Sequence, residues 1–574
     1  MKLIEALNIL KGLPSDAPKQ RRVLLACGFT PLHLETYLGA YLALQDPEAG
    51  IRITTGLYGD LAGTLQSLDP STVDHVVALI EWSDLDPRLG IRNLGGWHPR
   101  NLADIVESVE NACAGLERTL LKVSGVVPVA VSMPTLALPP LFATSTCQAG
   151  AVEMRVRAAV VMLAANLSQK GVRIVNPQRL EEESPLANRS NMKGELATGF
   201  PFSLPHASTL AALLAALMSD AAPKKGIITD LDDTLWAGIL GDDGVQGISW
   251  HLEHHSHIHG LYQQFLASLA GAGVLLGVAS KNTASVVDQA FERGDLLLTK
   301  DSIFPVEANW GPKSASVGRI LAAWNVAADS VVFIDDSPLE VAEVQAAFPD
   351  MECSVFPKND PQAVLDLMKS LRAQFGKPTL TDDDELRLRS IRAASEWREA
   401  AHSEAENTDE FLKNAQATIQ FDCSRNAADA RAFELVNKTN QFNLNGRRYS
   451  ESEWRGFLGD PAAFLLTASY KDKFGALGKV AVLLGTVRTQ TIHVSSWVMS
   501  CRAFSRRVEY QCLKHLFETF DGADIVFDYQ STARNQPLQE LMTKLVGSES
   551  RLSAARFHSL APDLYHQVEG QVHA

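Results

Sequence analysis

Residues 226–236, GIITDLDDTLW, constrain the fold of this chain more than any other run. An apolar segment that ends in two carboxylates, Asp230 and Asp232, spaced i and i+2, is a buried strand delivering both acids to the loop at its end. That geometry suits one divalent cation and one phosphoryl group, with Asp230 as nucleophile and metal ligand and Asp232 as the acid that protonates a leaving group. Three further signals follow in order. Residues 273–282, GVLLGVASKN, form a second apolar strand ending in the hydroxyl of Ser280. Residues 309–313, NWGPK, bring a cation, Lys313, able to neutralise nucleophile and phosphate together. Residues 331–338, VVFIDDSP, are a third strand ending in paired acids, Asp335 and Asp336, which complete a metal shell. Mg²⁺ takes few carboxylates, several waters and substrate phosphate oxygens, and this set fits that preference better than an all-protein cage. One Asp at a strand end is accounted for by capping of the next helix; ordered motifs of this kind are not.

Residues 225–375 resemble the catalytic domain of the haloacid-dehalogenase (HAD) superfamily, subfamily IIIC. The stretches 236–244 (WAGILGDDG), 280–282 (SKN) and 335–338 (DDSP) point to its FkbH-like branch. The resemblance implies Mg²⁺ as cofactor, held by Asp230, Asp232 and Asp335. It implies Asp230 as nucleophile, Asp232 as acid/base, and Ser280 and Lys313 as catalytic groups. Thr234, Lys281, Asn282 and Asp336 are expected at the phosphate and substrate. Ser280 follows Asp230 by 50 residues and Lys313 follows Ser280 by 33. The core fold needs a helix in each interval, so neither holds a large cap domain, and the site can admit a long arm or a tethered group.

The chain has 574 residues, enough for three or four domains, and the hydrophobic and charged content of an ordinary soluble protein. A formal net charge of −15 argues against nonspecific nucleic-acid binding. Seven cysteines without a C-x-x-C pair favour a reducing compartment. The amino-terminal stretch reads as an amphipathic helix, and the apolar helix around residues 158–167 is too short to span a bilayer. The expectation is a soluble, cytoplasmic protein without a membrane partner.

Residues 1–220 alternate strand-like and helix-like segments, which predicts a doubly wound α/β domain. This part resembles the SGNH-hydrolase-like region of FkbH-like proteins without its catalytic signature: Gly28-Phe29-Thr30 stands in place of G-D-S, and only Pro205-His206 in place of D-x-x-H. A binding or scaffold role is expected, because a hydroxyl without a base is inert. A linker is expected at 219–225. Residues 376–415 read as a helical connector whose early acids and later arginines complement the helix dipole.

Residues 416–574 show antiparallel strand patterns followed by a helix, an α+β arrangement that resembles the GNAT acyltransferase fold. The stretches 437–444 (NKTNQFNL) and 499–509 (MSCRAFSRRVE) resemble the FkbH-like carboxy terminus. GNAT enzymes cradle a pyrophosphate on R/Q-x-x-G-x-G; here Ser505 and Arg507 occupy the glycine positions. Arg502, Arg506 and Arg507 are expected to meet a phosphopantetheine phosphate or an acidic carrier, Asn440, Gln441 and Phe442 to line the acyl pocket, and the thiol of Cys501 to accept an acyl group. His251, His255 and His259 would share one face if the segment were helical, a geometry open to zinc.

FkbH-like proteins remove the phosphate of 1,3-bisphosphoglycerate and load the glyceryl group onto an acyl carrier protein as a thioester. The resemblance implies that reaction here, with the carrier's phosphopantetheine thiol as partner. Many members read Cys-Ser-Lys-Asn at the second motif, where this chain has Ala279. The alternatives are a phosphatase or acyltransferase for another phosphorylated metabolite of polysaccharide or secondary-metabolite assembly, and a non-enzymatic carrier-docking scaffold.

Overall fold

The computed structural model describes residues 1–13, 17, 19–219, 223–377, 380–403, 408–488, 491–532, 534–547 and 550–569. Part of the expected 219–225 linker and of the 376–415 connector lies outside the described residues. The chain divides into two units, Met1–Ala221 with Ser450–Gly456, and Ala222–Tyr449 with Phe457–Ala574.

The first unit carries a five-stranded parallel sheet, β2-β1-β3-β4-β5, built from β1 (Gln20–Cys27), β2 (Gly50–Thr55), β3 (His75–Leu79), β4 (Val129–Ser132) and β5 (Arg173–Ile174). Its strands are apolar runs because both faces are covered. Along β1, Val23, Leu25 and Cys27 enter one core, with α1 (Leu32–Gln45) and α4 (Leu204–Leu217). The alternate residues Leu24 and Ala26 enter the other, with α2 (Leu102–Ser124) and α3 (Ala151–Gln169). No hydrolytic pair forms. The Thr30 hydroxyl donates to the carbonyl of Thr198, whereas the fully buried His206 is 3.1 Å from Thr135 Oγ1 and 2.9 Å from Ser184 Oγ. Burial holds His206 down at about 3, so its ring is neutral and structural.

The second unit contains a five-stranded parallel sheet in the order β10-β9-β6-β7-β8, made of β6 (Gly226–Thr229), β7 (Leu275–Ser280), β8 (Val306–Ala308), β9 (Val331–Asp335) and β10 (Glu352–Val355). Ile227 and Ile228 are fully buried in different clusters, so this sheet too is covered on both faces, with α5 (His257–Gly271), α6 (Lys313–Trp324), α7 (Pro338–Ala347) and α8 (Pro361–Phe375) around it. The chain leaves β6 for β7 and β8 on one side, then returns to β9 and β10 on the other. The crevice of this doubly wound sheet therefore opens between β6 and β9.

The connector forms α9 (Asp382–Ser403), which buries Ile391 against the core of this parallel sheet and Ala393 in the core of the following sheet. That sheet has seven strands, β16-β15-β14-β13-β12-β11-β17. They are β11 (Thr418–Asp422), β12 (Ala463–Asp472), β13 (Gly475–Arg488), β14 (Thr491–Met499), β15 (Asp524–Phe527), β16 (Arg551–Leu552) and β17 (Gln567–Glu569), with α10 (Val508–Thr519) against the sheet core. Strands β11 to β14 run antiparallel and β14 pairs with β15 in parallel. Among the described residues no helix is long and apolar enough to cross a membrane.

Candidate active site

Thr229 lies opposite Ile334 in the β6–β9 ladder, so Asp230, which follows β6, and Asp335, which ends β9, emerge side by side. The amide of Asp230 donates to the carbonyl of Ile334 at 2.9 Å and fixes this register. Asp230 and Asp335 are buried and Asp336 is half-buried. One carboxylate oxygen from each lies within 4.8 Å of the others. Lys313, the first residue of α6, reaches into the same point: its Nζ stands 2.9 Å from Asp230 Oδ1 and also pairs with Asp335 Oδ2.

The contact between Lys313 and Asp230 is an ion pair without hydrogen-bond alignment, since Asp230 Oδ1 is a buried oxygen with no hydrogen-bond partner. Burial pushes Asp230 up to about 7, helped by the neighbouring charge of Asp335 and opposed by Lys313. Burial raises Asp335 as well, against the pull of Lys313. Lys313 feels burial in the opposite sense, but the two carboxylates outweigh it and hold the ammonium charged. A buried acceptor left unmet, in a converging set of carboxylates, is the donor arrangement a divalent cation takes. The residues present fit such an ion.

The surrounding loops are tied together by residues from every motif. Thr234, fully buried, accepts from the amide of Asp336 through Oγ1 at 3.1 Å, and so links the first and last loops. Asn282 donates through Nδ2 to Asp232 Oδ2 at 2.9 Å and to Ser280 Oγ at 3.1 Å. Ser280 itself is buried at the end of β7.

Three residues lie elsewhere than expected. Asp232, expected as a metal ligand, stays outside the carboxylate cluster. Its Oδ1 accepts from the indole N–H of Trp236 at 2.9 Å and the amide of Leu240 at 3.1 Å, while Oδ2 is taken by Asn282. Asp336, expected at the substrate, supplies the third carboxylate instead. Lys281, also expected at the phosphate, turns to Glu340 near the start of α7, at 2.7 Å.

Lys358 was not anticipated. Its Nζ bridges Asp233 Oδ2 at 2.6 Å and Asp336 Oδ2 at 2.8 Å, placing a second cation beside the cluster. The only cue in the sequence is a lysine just beyond β10, the strand next to β9.

The histidine cluster is not a metal face. His251 and His254 lie in a loop and short 3₁₀ turn, with His251 Nε2 3.0 Å from Asp295. His259 sits on α5 with Nδ1 2.9 Å from the carbonyl of Thr234, supporting the active-site loop from behind.

Between Asp230 and Ser280 the chain holds the short helical segment Leu240–Gly247, a 3₁₀ turn and α5, with no inserted domain. Trp310, just before Lys313, and Leu339, just after the Asp335-Asp336 loop, are 72% and 77% exposed. Nothing folds over them as a lid within these loops.

Cys501 is not brought to this centre. It lines a cavity with Trp324 and Asn325, at the far end of α6 from Lys313. Twelve residues of helix place the two ends about 16 Å apart. Of the expected carrier contacts, Arg506 is 2% exposed, with Nε 3.3 Å from Asp472 and its guanidinium 3.9 Å over the Trp397 ring. Arg507 pairs with Asp409 at 2.5 Å and Arg502 bonds the hydroxyls of Ser500 and Ser390. Phe442 is a core residue packed edge-on against Trp497, Asn440 accepts from Arg448, and Gln441 accepts from Asn325 at 3.5 Å. Ser505 and Arg507, where GNAT enzymes have glycines, hold φ of +63° and +59°. The loop keeps the left-handed backbone without the residue that favours it.

No model of a protein family matches the sequence, and no curated protein is similar to it. Among solved structures, the chain is similar to the N-terminal part of the protein BF1531 from Bacteroides fragilis, described as containing a phosphatase domain and complexed with Mg. The identity is 20%, the TM-score 0.52, and the match covers 66% of this chain and 100% of that one. At that identity the likeness establishes a shared fold: this chain is a multidomain α/β protein with parallel sheets, like the matched structure.

Proposed function

We propose that the second unit is a Mg²⁺-dependent, HAD-type phosphoryl-processing enzyme, acting on an acyl phosphate of the 1,3-bisphosphoglycerate kind and passing the glyceryl group to an acyl carrier protein thiol. The observation that carries it is the convergence of Asp230, Asp335 and Asp336 with Lys313 around a buried, unmet oxygen. Those three carboxylates would hold Mg²⁺, and the Mg complex of the Bacteroides protein supports that choice of ion. When bound, the ion supplies charge neutralisation for the phosphoryl oxygens.

In the phosphatase reading Asp230 attacks phosphorus and the acyl oxygen leaves as a free carboxylate; in the acyl-transfer reading the site steadies phosphate as it leaves while a thiol attacks the carbonyl. Lys313 opposes the effect of burial on Asp230 and Asp335 and offers its charge to the phosphoryl oxygens. Asp232, oriented by Trp236, Leu240 and Asn282, hands its proton to the leaving oxygen. The Ser280 hydroxyl and Asn282 face the same loop cluster and complete the phosphate pocket. The absence of an inserted cap between Asp230 and Ser280 supports a substrate presented on a long arm. With Cys501 at the far end of α6, a covalent relay through it requires the arm to travel between the two places.

A phosphatase for another phosphorylated metabolite is the second reading, favoured by Ala279 where acyl-loading relatives often have cysteine. The test is intact mass of a phosphopantetheinylated carrier incubated with 1,3-bisphosphoglycerate, Mg²⁺ and this protein. A glyceryl increment on the carrier is the expected result. Phosphate release without the increment selects the second reading, and neither event sinks the enzymatic account.

A further inference from the structure

Of the three carboxylates that converge at the phosphoryl site, Asp230 and Asp335 share Lys313, and the third, Asp336, is served by Lys358. Lys358 Nζ lies 2.8 Å from Asp336 Oδ2 and 2.6 Å from Asp233 Oδ2. Among the described residues no donor reaches Asp336 Oδ1, so one oxygen of that carboxylate is held and the other is open. A metal-ligating carboxylate is fixed in orientation when such a partner holds it. Loss of a partner of this kind typically costs about 10–100-fold in affinity or activity.

Lys358 is itself held in place by its neighbours along the chain. Phe356, two residues earlier, is buried, its amide donates to the carbonyl of Asp335 at 2.8 Å, and its ring lies 5.4 Å from His259 and 5.0 Å from Tyr262. Asp360, two residues later, caps α8 by accepting from the amides of Gln362 and Ala363. The lysine therefore stands on a short loop pinned at both ends. Asp233, which anchors the ammonium from the other side, follows Asp230 by three residues and accepts from the amide of Gly238 through Oδ1 at 2.9 Å. It holds φ of +50°, a backbone that a non-glycine residue keeps only where its surroundings fix it. Thr234 also ties the two loops, through the amide of Asp336. That tie survives removal of the lysine, so losing Lys358 frees the carboxylate of Asp336 without parting the loops.

We infer that Lys358 is a positioning residue for the divalent ion: anchored by Asp233, it holds Asp336 Oδ2 and leaves Oδ1 to the ion. A lysine that were only a nearby charge would do the reverse, because a cation beside the site repels the ion and its removal tightens binding. The sign of the change in affinity separates the two roles. The inference rests on the reading of Asp230, Asp335 and Asp336 as the ion site.

The test is titration of the full-length protein with Mn²⁺, with the free ion followed by electron paramagnetic resonance, for the wild type, Lys358→Met and Lys358→Gln. Both substitutions remove the charge from a side chain that is 35% exposed, and glutamine keeps a shorter, neutral donor. Each variant that is folded in EDTA, as judged by its melting curve, is expected to bind Mn²⁺ at least about tenfold more weakly than the wild type. Equal or tighter binding in either folded variant overturns the role of Lys358 and leaves the ion site standing. Absence of a tight site in the wild type overturns the ion site itself, and the inference with it.

Discussion

Asp230→Asn lowers the rate of phosphate release from a phosphorylated substrate at saturating Mg²⁺ by at least about a thousandfold, because removing a nucleophile leaves only the contribution of the surrounding electrostatics and binding. Asn keeps the shape of the side chain but offers a neutral amide that cannot form the bond to phosphorus. The buried position argues for so large a loss: Asp230 is 6% exposed, at the end of a strand whose register is locked to β9. No neighbouring carboxylate can replace it, since Asp335 is fully buried and paired with Lys313 and Asp232 is engaged by three donors. The control is Asp232→Asn, in which the nucleophile remains; its loss depends on the leaving group and falls as that group becomes a weaker base. A rate for Asp230→Asn within tenfold of the wild type would exclude the nucleophilic role.

Lys313→Met destabilises the second unit by about 3–5 kcal/mol when divalent ions are chelated, the range for removing one partner of a buried ion pair. The lysine is 4% exposed and its charge is shared by two buried carboxylates. Methionine fills most of the volume, so the loss measures charge and not a cavity. Burial, helped by the charge of Asp335, pushes Asp230 up to about 7 even with the lysine present, so this pocket tolerates an unpaired carboxylate poorly. A saturating divalent ion restores part of the loss, since a ligand at a hundred times its dissociation constant adds about 2.7 kcal/mol to the folded state. Denaturant unfolding of both proteins, with and without Mg²⁺, checks this. Equal stability of the two proteins in chelator would mean that Lys313 is not the counter-charge of the cluster.

The strands that end at Asp230, Ser280 and Asp335 were legible because each combines a fully apolar run with a polar residue at its end. Strand periodicity and topology then leave one place for them to meet. Which carboxylates turn inward was not legible. Asp232 and Asp336 look equivalent in a linear motif, but Trp236 and Asn282 hold the one aside while Thr234 positions the amide of the other. These partners lie up to 102 residues away, and no local pattern announces them. Lys281 illustrates the same limit: its charge is spent on Glu340, 59 residues on. Next to the last sheet, the arginines expected to meet a phosphopantetheine phosphate or an acidic carrier divide once folded. Arg506 sinks between Trp397 and Asp472 because the delocalised guanidinium is weakly hydrated and stacks on an indole. Sequence spacing identified the loop, and only packing shows that it faces a cavity at the end of α6.

The most direct measurement is a titration with Mn²⁺, standing in for Mg²⁺, followed by electron paramagnetic resonance on the full-length protein and its single variants. The account predicts one tight site in the wild type, lost in Asp335→Asn and kept in Asp232→Asn, because Asp335 belongs to the cluster of three carboxylates and Asp232 does not. A site that survives Asp335→Asn, or that disappears with Asp232→Asn in a folded protein, would contradict it.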